Sequence, residues 1–244
     1  MNHHEVLIWY IEPETLQDSA QVKRFLEWLS PDEREQYQRF HFDKHRHTYL
    51  VSHALVRGAL SLVTKLRPEQ FSFKKNPYGK PYLDQSVPSR ALHFNLSHTD
   101  GLAVLAISTQ AEVGVDVENS RRTGMTRELA EHFFSSEEYQ VVAYLQDPER
   151  TIKMLEFWTL KESYIKAVGA GLSIALDSFA FALGREGCPA RLIRLDSNPL
   201  EIDQWYFWQG QPTPQHLIAL AIKGTEKKST LDIKLEHANW LYRA

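Results

Sequence analysis

The residues best equipped for chemistry begin at Val113-Gly114-Val115-Asp116-Val117-Glu118. Strict alternation is the period of a half-buried β-strand. Val113, Val115 and Val117 share one face, and Gly114, Asp116 and Glu118 share the other. Two residues of strand rise set the two carboxylates roughly 7 Å apart at Cα. No Lys or Arg within the strand neutralises them. Neighbouring acids repel unless positive charge lies between them. A hard divalent cation such as Mg²⁺ takes oxygen ligands and keeps positions open for water or phosphate. A strand that simply ends in water, with two solvated acids, is the competing reading.

A further acid lies in Phe157-Trp158-Thr159-Leu160-Lys161-Glu162-Ser163-Tyr164-Ile165-Lys166. Glu162 and Lys166 are four apart on a helix, acid first, so they share a face. An exposed pair of this kind contributes only a few tenths of a kcal/mol, roughly. Trp158, Tyr164 and Ile165 mark this part of the helix as covered, and a covered acid and lysine need partners. A third metal ligand, with a lysine for phosphate oxygens, would supply them. Ser97-His98 reads as a turn between two apolar strands, with His98 as a ligand donor or as a histidine of no special role. Adjacent side chains of a strand point to opposite faces, so they cannot form a nucleophile–base pair. No Gly-x-Ser-x-Gly elbow, His-Glu-x-x-His or P-loop occurs. Residues 74–81 form a Pro- and Gly-rich turn with three lysines, Lys74, Lys75 and Lys80. It is either a solvated hairpin loop or a cationic loop aimed at phosphates.

The elements that must position these residues follow from periodicity and capping. Residues 6–11 read as a buried strand. Val22, Phe25, Leu26 and Leu29 predict a short helix. Ser30-Pro31-Asp32-Glu33 is a capping box opening a second helix, to about residue 40. A long helix over about 44–66 stops before Pro68. Residues 71–73 predict a short strand. Residues 92–96, 102–107 and 113–118 predict three adjacent antiparallel strands. Helices are expected over 127–134, from a second capping box at Ser135–Glu138 to 145, and from Pro148 to about 168, where Gly169 ends the last. Strands return at 179–183, 191–195, 205–208, 217–222 and 231–235. Gly101-Leu-Ala-Val-Leu-Ala-Ile-Ser108 and His216-Leu-Ile-Ala-Leu-Ala-Ile-Lys223 agree at four of eight positions. Both halves run helices first and an antiparallel meander second, which divides the chain into 1–112 and 113–244.

Composition bounds the rest. The chain has 244 residues, 43% hydrophobic and 24% charged, enough for a sizeable core. A net charge of -3 without a basic stretch argues against general nucleic-acid binding. The single cysteine, Cys188, rules out an internal disulfide and fits a reducing compartment. No signal peptide or membrane-length apolar run is evident. The expectation is a soluble cytoplasmic protein with no nucleic-acid or membrane partner.

Three ordered motifs, Phe94-Asn95-Leu96-Ser97-His98, the 113–118 strand and the 157–166 helix, resemble those of the 4′-phosphopantetheinyl transferase superfamily. The likeness is to its single-chain, surfactin-synthetase-activator (Sfp-like) branch. Tyr78-Gly79-Lys80-Pro81 and Phe133-Phe134-Ser135-Ser136-Glu137-Glu138 add looser matches, so the resemblance spans about residues 30–183. It implies an α+β fold: two similar subdomains, helices on antiparallel sheets, related by a pseudo-twofold axis with a ligand cleft between them. It implies transfer of the phosphopantetheine arm of coenzyme A to a serine of an apo acyl or peptidyl carrier protein, releasing adenosine 3′,5′-bisphosphate. Asp116, Glu118 and Glu162 would hold Mg²⁺. Lys166 would meet the pyrophosphate or the departing phosphate, and Lys44, Lys75, Lys80, Asn95, Ser97, His98 and Lys161 would be further coenzyme A contacts. Glu162 or a metal-bound water would take the serine proton. One chain holding both halves points to a monomer. Two other readings stay open: a metal-dependent phosphohydrolase, and a non-catalytic carrier-protein or nucleotide-binding module. The segment matching 30–36 has fewer cations than some relatives, which puts its 3′-phosphate contact in doubt.

Overall fold

A computed structural model describes residues 5–84, 92–109, 111–185, 188–224 and 231–244. The chain runs β1 (Glu5–Ile11), α1 (Ser19–Trp28), α2 (Pro31–Gln38), α3 (Asp43–Thr64), β2 (Phe73–Lys75), β3 (Pro81–Leu83), β4 (His93–Thr99) and β5 (Leu102–Ser108). It then runs β6 (Val113–Asn119), α4 (Arg127–Phe133), α5 (Ser136–Val142), α6 (Glu149–Val168), β7 (Phe179–Ala182), β8 (Arg191–Leu195), β9 (Trp205–Thr213), β10 (His216–Lys223) and β11 (Asp232–His237). Both expected capping boxes are present. The Ser30 hydroxyl accepts from Glu33 N and the Glu33 carboxylate from Ser30 N, and Ser135 and Glu138 repeat the pattern. Gly169 ends α6 at φ 72°, a left-handed conformation that suits glycine.

The element order occurs twice: a strand, two short helices, a long helix, a hairpin, then two paired strands. The sheet order β1-β5-β4 matches β6-β10-β9. In each sheet the opening strand lies antiparallel to the fifth strand of its set, Val6 opposite Ser108 and Val113 opposite Ile222. The duplication read from β5 and β10 is therefore real at the level of elements, but its alignment is one residue out. Ala103, Leu105 and Ile107 face α3, whereas the residues matched to them, Ile218, Leu220 and Ile222, face the seam between the sheets. A slip of one residue exchanges the two faces of a strand.

Three apolar clusters hold these layers. One joins α3 to β1 and β5, through Trp9, Leu55, Leu105 and Ile107. A second joins α6 to its sheet and the β7–β8 hairpin, through Leu160, Tyr164, Phe179 and Phe207. The third is the seam, where Val6, Ile8, Leu102 and Val104 meet Val113, Val115, Val117, Ile218 and Leu220.

Three expectations are corrected. β6 does not extend the β4–β5 ladder; it pairs with β10 and lies beside β4 across the seam. Its ladder partner, β10, lies far along the chain, Ile222 opposite Val113 and His216 opposite Asn119, which local periodicity does not encode. Ser97-His98 belongs to β4 rather than to a turn, and Asp100-Gly101 makes the reversal, with Gly101 at φ 85°. Finally, residues 231–244 do not stay with the second half. β11 lies parallel to β1, from Glu5 opposite Asp232 to Tyr10 opposite His237. Ala238 and Leu241 join the α3 cluster, and Trp240 packs edge-on to Trp9. Among the described residues no helix is long and apolar enough to cross a membrane.

Candidate active site

The acidic face of β6 lies under α6. A Cβ on Gly114 would run into the backbone of Ser163 and Ala167, so glycine lets helix and strand approach closely. This buries Asp116, which the alternation alone would leave half in water. Its Oδ1 accepts from Lys166 Nζ at 2.6 Å and from Ser97 Oγ at 3.0 Å. Lys166 Nζ also donates to Ser97 Oγ at 2.8 Å. Three elements from both halves thus meet at one carboxylate. Asp116 Oδ2 is buried and receives no hydrogen bond from the protein. A buried carboxylate oxygen in that state is an open ligand position.

Glu118 and Glu162 are half-buried near it. Burial, then the Asp116 charge, pushes Glu118 up to about 7. The same two causes raise Glu162. Arg122 pairs with Glu118 while its guanidinium lies 5.1 Å from the Trp158 ring centroid. Three carboxylates therefore share two cations, Arg122 and Lys166. Among the described residues, no three His, Cys, Asp or Glu side chains stand converged as a finished metal cage. The orphaned Asp116 oxygen and the raised glutamates fit a cation, and closing a cage around it requires Arg122 and Lys166 to yield.

The remaining expected contacts divide. His98 is exposed on the face of β4 opposite Ser97, and desolvation by its surroundings, then the charges of Lys166 and His45, hold its imidazole below the usual range. Lys44, in the first turn of α3, is exposed and pairs with Asp100, with Glu14 at 3.8 Å. Lys75 is exposed at the end of β2. The other three do not face solvent as free ligand contacts. Asn95 is buried, and its Oδ1 accepts from Val115 N at 2.9 Å, tying β4 to β6 where no ladder does. Lys161 has a fully buried side chain that donates to Glu138 at 2.8 Å and to the carbonyls of Leu176 and Phe179. Enclosed in that way it cannot reach a dissolved nucleotide. Lys80 donates to Glu112 Oε2 at 2.7 Å, Ala167 O at 2.9 Å and Val113 O at 3.3 Å.

A cleft of about 690 Å³ opens at the end of β6, lined by Lys44, Asp100, Arg121, Arg122, Gln215 and His216 among others. It draws on both halves and touches the acids through Arg122. Sequence reasoning stopped at the absence of a cation within the strand and so missed Arg122. The signal was there four residues after Glu118, just past the strand end.

The sequence profile of the "4′-phosphopantetheinyl transferase superfamily" matches residues 112–221, and that of "4′-phosphopantetheinyl transferase, N-terminal" matches 17–110. The 4′-phosphopantetheinyl transferase HetI of Nostoc sp. is 30% identical over 220 residues, 90% of this chain and 88% of that protein. The 4′-phosphopantetheinyl transferase Sfp of Bacillus subtilis is 34% identical over 165 residues, 68% of this chain and 71% of that one. A solved holo-(acyl-carrier-protein) synthase from Bacillus anthracis, in complex with CoA (3′,5′-ADP), matches with TM-score 0.39 and 18% identity over 47% of this chain and 96% of that chain.

Proposed function

Since the chain belongs to the 4′-phosphopantetheinyl transferase superfamily, we propose that Asp116, Lys166 and Ser97 form the centre at which it carries out that transfer. As a member it is a holo-carrier-protein synthase, with coenzyme A and an apo carrier protein as its partners. The observation that carries the assignment is the convergence of β4, β6 and α6 on the Asp116 carboxylate.

The carrier's serine oxygen forms a bond to the phosphorus of the phosphopantetheine phosphate. The pyrophosphate bond breaks, and adenosine 3′,5′-bisphosphate leaves with the electron pair. Lys166 binds pyrophosphate oxygens from the Asp116 side, and His98, Lys44 and Lys75 offer charge or hydrogen bonds to the nucleotide from exposed positions. Glu162 is the general base that takes the serine proton during attack. Asp116, Glu118 and Glu162 are the residues that would hold Mg²⁺. A bound Mg²⁺ supplies electrostatic stabilisation of the phosphate oxygens and the leaving group. With both halves in one chain, the enzyme acts as a monomer.

The test combines purified protein, Mg²⁺, coenzyme A and several apo carriers, and weighs each carrier. A gain of one phosphopantetheine supports the transferase. Bisphosphate released with the carrier unmodified would support a phosphohydrolase, and coenzyme A bound with neither product would support a binding module.

A further inference from the structure

The turn of the β2–β3 hairpin reaches across from the first half and closes on the last turn of α6. Asn76 shapes that turn, its Oδ1 accepting from Tyr78 N and Lys80 N, each at 2.9 Å. Its Nδ2 then donates to Gly169 O at 2.7 Å. Lys80 Nζ donates to Ala167 O, to Val113 O and to Glu112 Oε2. The last carbonyls of a helix have no intrahelical partner, and cationic or amide donors there satisfy them. A Cβ on Gly169 would stand 2.9 Å from Lys80 Cδ and 3.1 Å from Asn76 Nδ2, so the three groups are in direct contact. Lys166, whose ammonium reaches Asp116 and Ser97, is one residue before Ala167.

We infer that Asn76 and Lys80 are positioning residues, a clasp from the first half that sets the end of α6 so that Lys166 meets Asp116 and Ser97. Lys80 thereby has a different task from the phosphate contact expected from its loop. Its ammonium is held by three oxygens and lies on the α6 backbone. The inference deepens the proposed function, because the positioned group is the phosphate-binding lysine. Displacing a catalytic group by about 1 Å costs on the order of a hundredfold in rate. Loosening the clasp acts on the chemical step and leaves coenzyme A affinity to the groups that touch it.

The experiment uses the full chain with Asn76→Ala, Lys80→Met and Glu112→Gln. Deuterium exchange at residues 165–169 and steady-state kinetics for coenzyme A are measured on each. Expected are faster exchange in that turn for Asn76→Ala and Lys80→Met, and a kcat about tenfold or more below the parent, by the same positional sensitivity, with KM for coenzyme A within about twofold. Glu112→Gln moves both readouts the same way by less. Asn76 carries no charge, so a shared kcat loss is not what removal of a phosphate-binding cation would produce. A raised coenzyme A KM for Lys80→Met, with Asn76→Ala unchanged, overturns the clasp. So does unchanged exchange in the last turn of α6. If the parent modifies no carrier, the proposed function fails by itself, while the exchange readout still decides whether the clasp exists.

Discussion

The two halves are built around the same anchor, yet the three acids of the candidate site stand on only one of them. In the first, Glu33 accepts from its own cap residue Ser30 and from the Arg57 guanidinium of α3 at 2.7 and 3.0 Å. Arg57 then donates to the carbonyls of Pro68 and Phe71 and lies over the Phe73 ring. In the second, Glu138 accepts from Ser135 and from Lys161 of α6, and Lys161 donates to Leu176 O and Phe179 O and lies over the Phe179 ring. Each anchor ties a capping box, a long helix and the entry to a hairpin. One helical position further on, the halves part. Beside Arg57 stands Gly58, covered by Trp240; beside Lys161 stands Glu162. Against α3 the opening strand presents Leu7, Trp9 and Ile11, and against α6 it presents Gly114, Asp116 and Glu118. The scaffold is duplicated, whereas the acidic cluster is a substitution on one copy.

The largest expected effect falls on that substitution. Asp116→Asn keeps the shape but removes the charge that Lys166 and Ser97 meet, and transfer should drop by about a thousandfold, the upper range for removing a central electrostatic group. The far-ultraviolet circular dichroism should stay native; activity within tenfold of the parent would remove Asp116 from the centre. Next come the anchors. Lys161→Met strands a fully buried Glu138 and should cost about 3–5 kcal/mol in urea unfolding. Arg57→Met should cost less, because Glu33 retains some solvent contact. Equal losses would mean that burial does not separate the two anchors.

The glycines sharpen the same contrast. Gly114→Ala meets backbone, whereas Gly58→Ala meets the Trp240 ring at 2.5 Å. Overpacking costs about 1–3 kcal/mol. We expect Gly114→Ala to abolish transfer by lifting α6, and Gly58→Ala to lower thermal stability while sparing activity. The smallest effect concerns pH. His93 and Lys80 hold Glu112 at about 2. A depressed carboxyl contributes stability above its unfolded value, near 4.3, which fades as pH falls toward 2. Glu112→Gln should therefore flatten the stability slope in that window, and only slightly, since Glu112 is half-exposed. A parent slope kept intact would assign it to other groups.

Most elements were legible because their signals are local. Capping boxes, the αL glycine after Val168 and the alternation of the acidic strand each fix structure within a few residues. The site was legible as a set of residue types: Asp116, Ser97 and Lys166 do meet, while the fates of Asn95, Lys80 and Lys161 were not readable. Each of those three depends on a partner distant in sequence, Val115, Ala167 and Glu138 respectively. A lysine that will be buried and one that will face a ligand look alike until the fold chooses their surroundings. The pairing of β6 with β10 was hidden for the same reason.

The return of residues 231–244 to β1 has a consequence for biogenesis. During synthesis the first half leaves the ribosome with the outer edge of β1 unpaired and with Trp9 and Gly58 waiting for Trp240. That half cannot reach its finished form until the whole second set of elements, and β11 after it, have been made. The nascent chain meanwhile presents an open strand edge of the kind that recruits chaperones or aggregates.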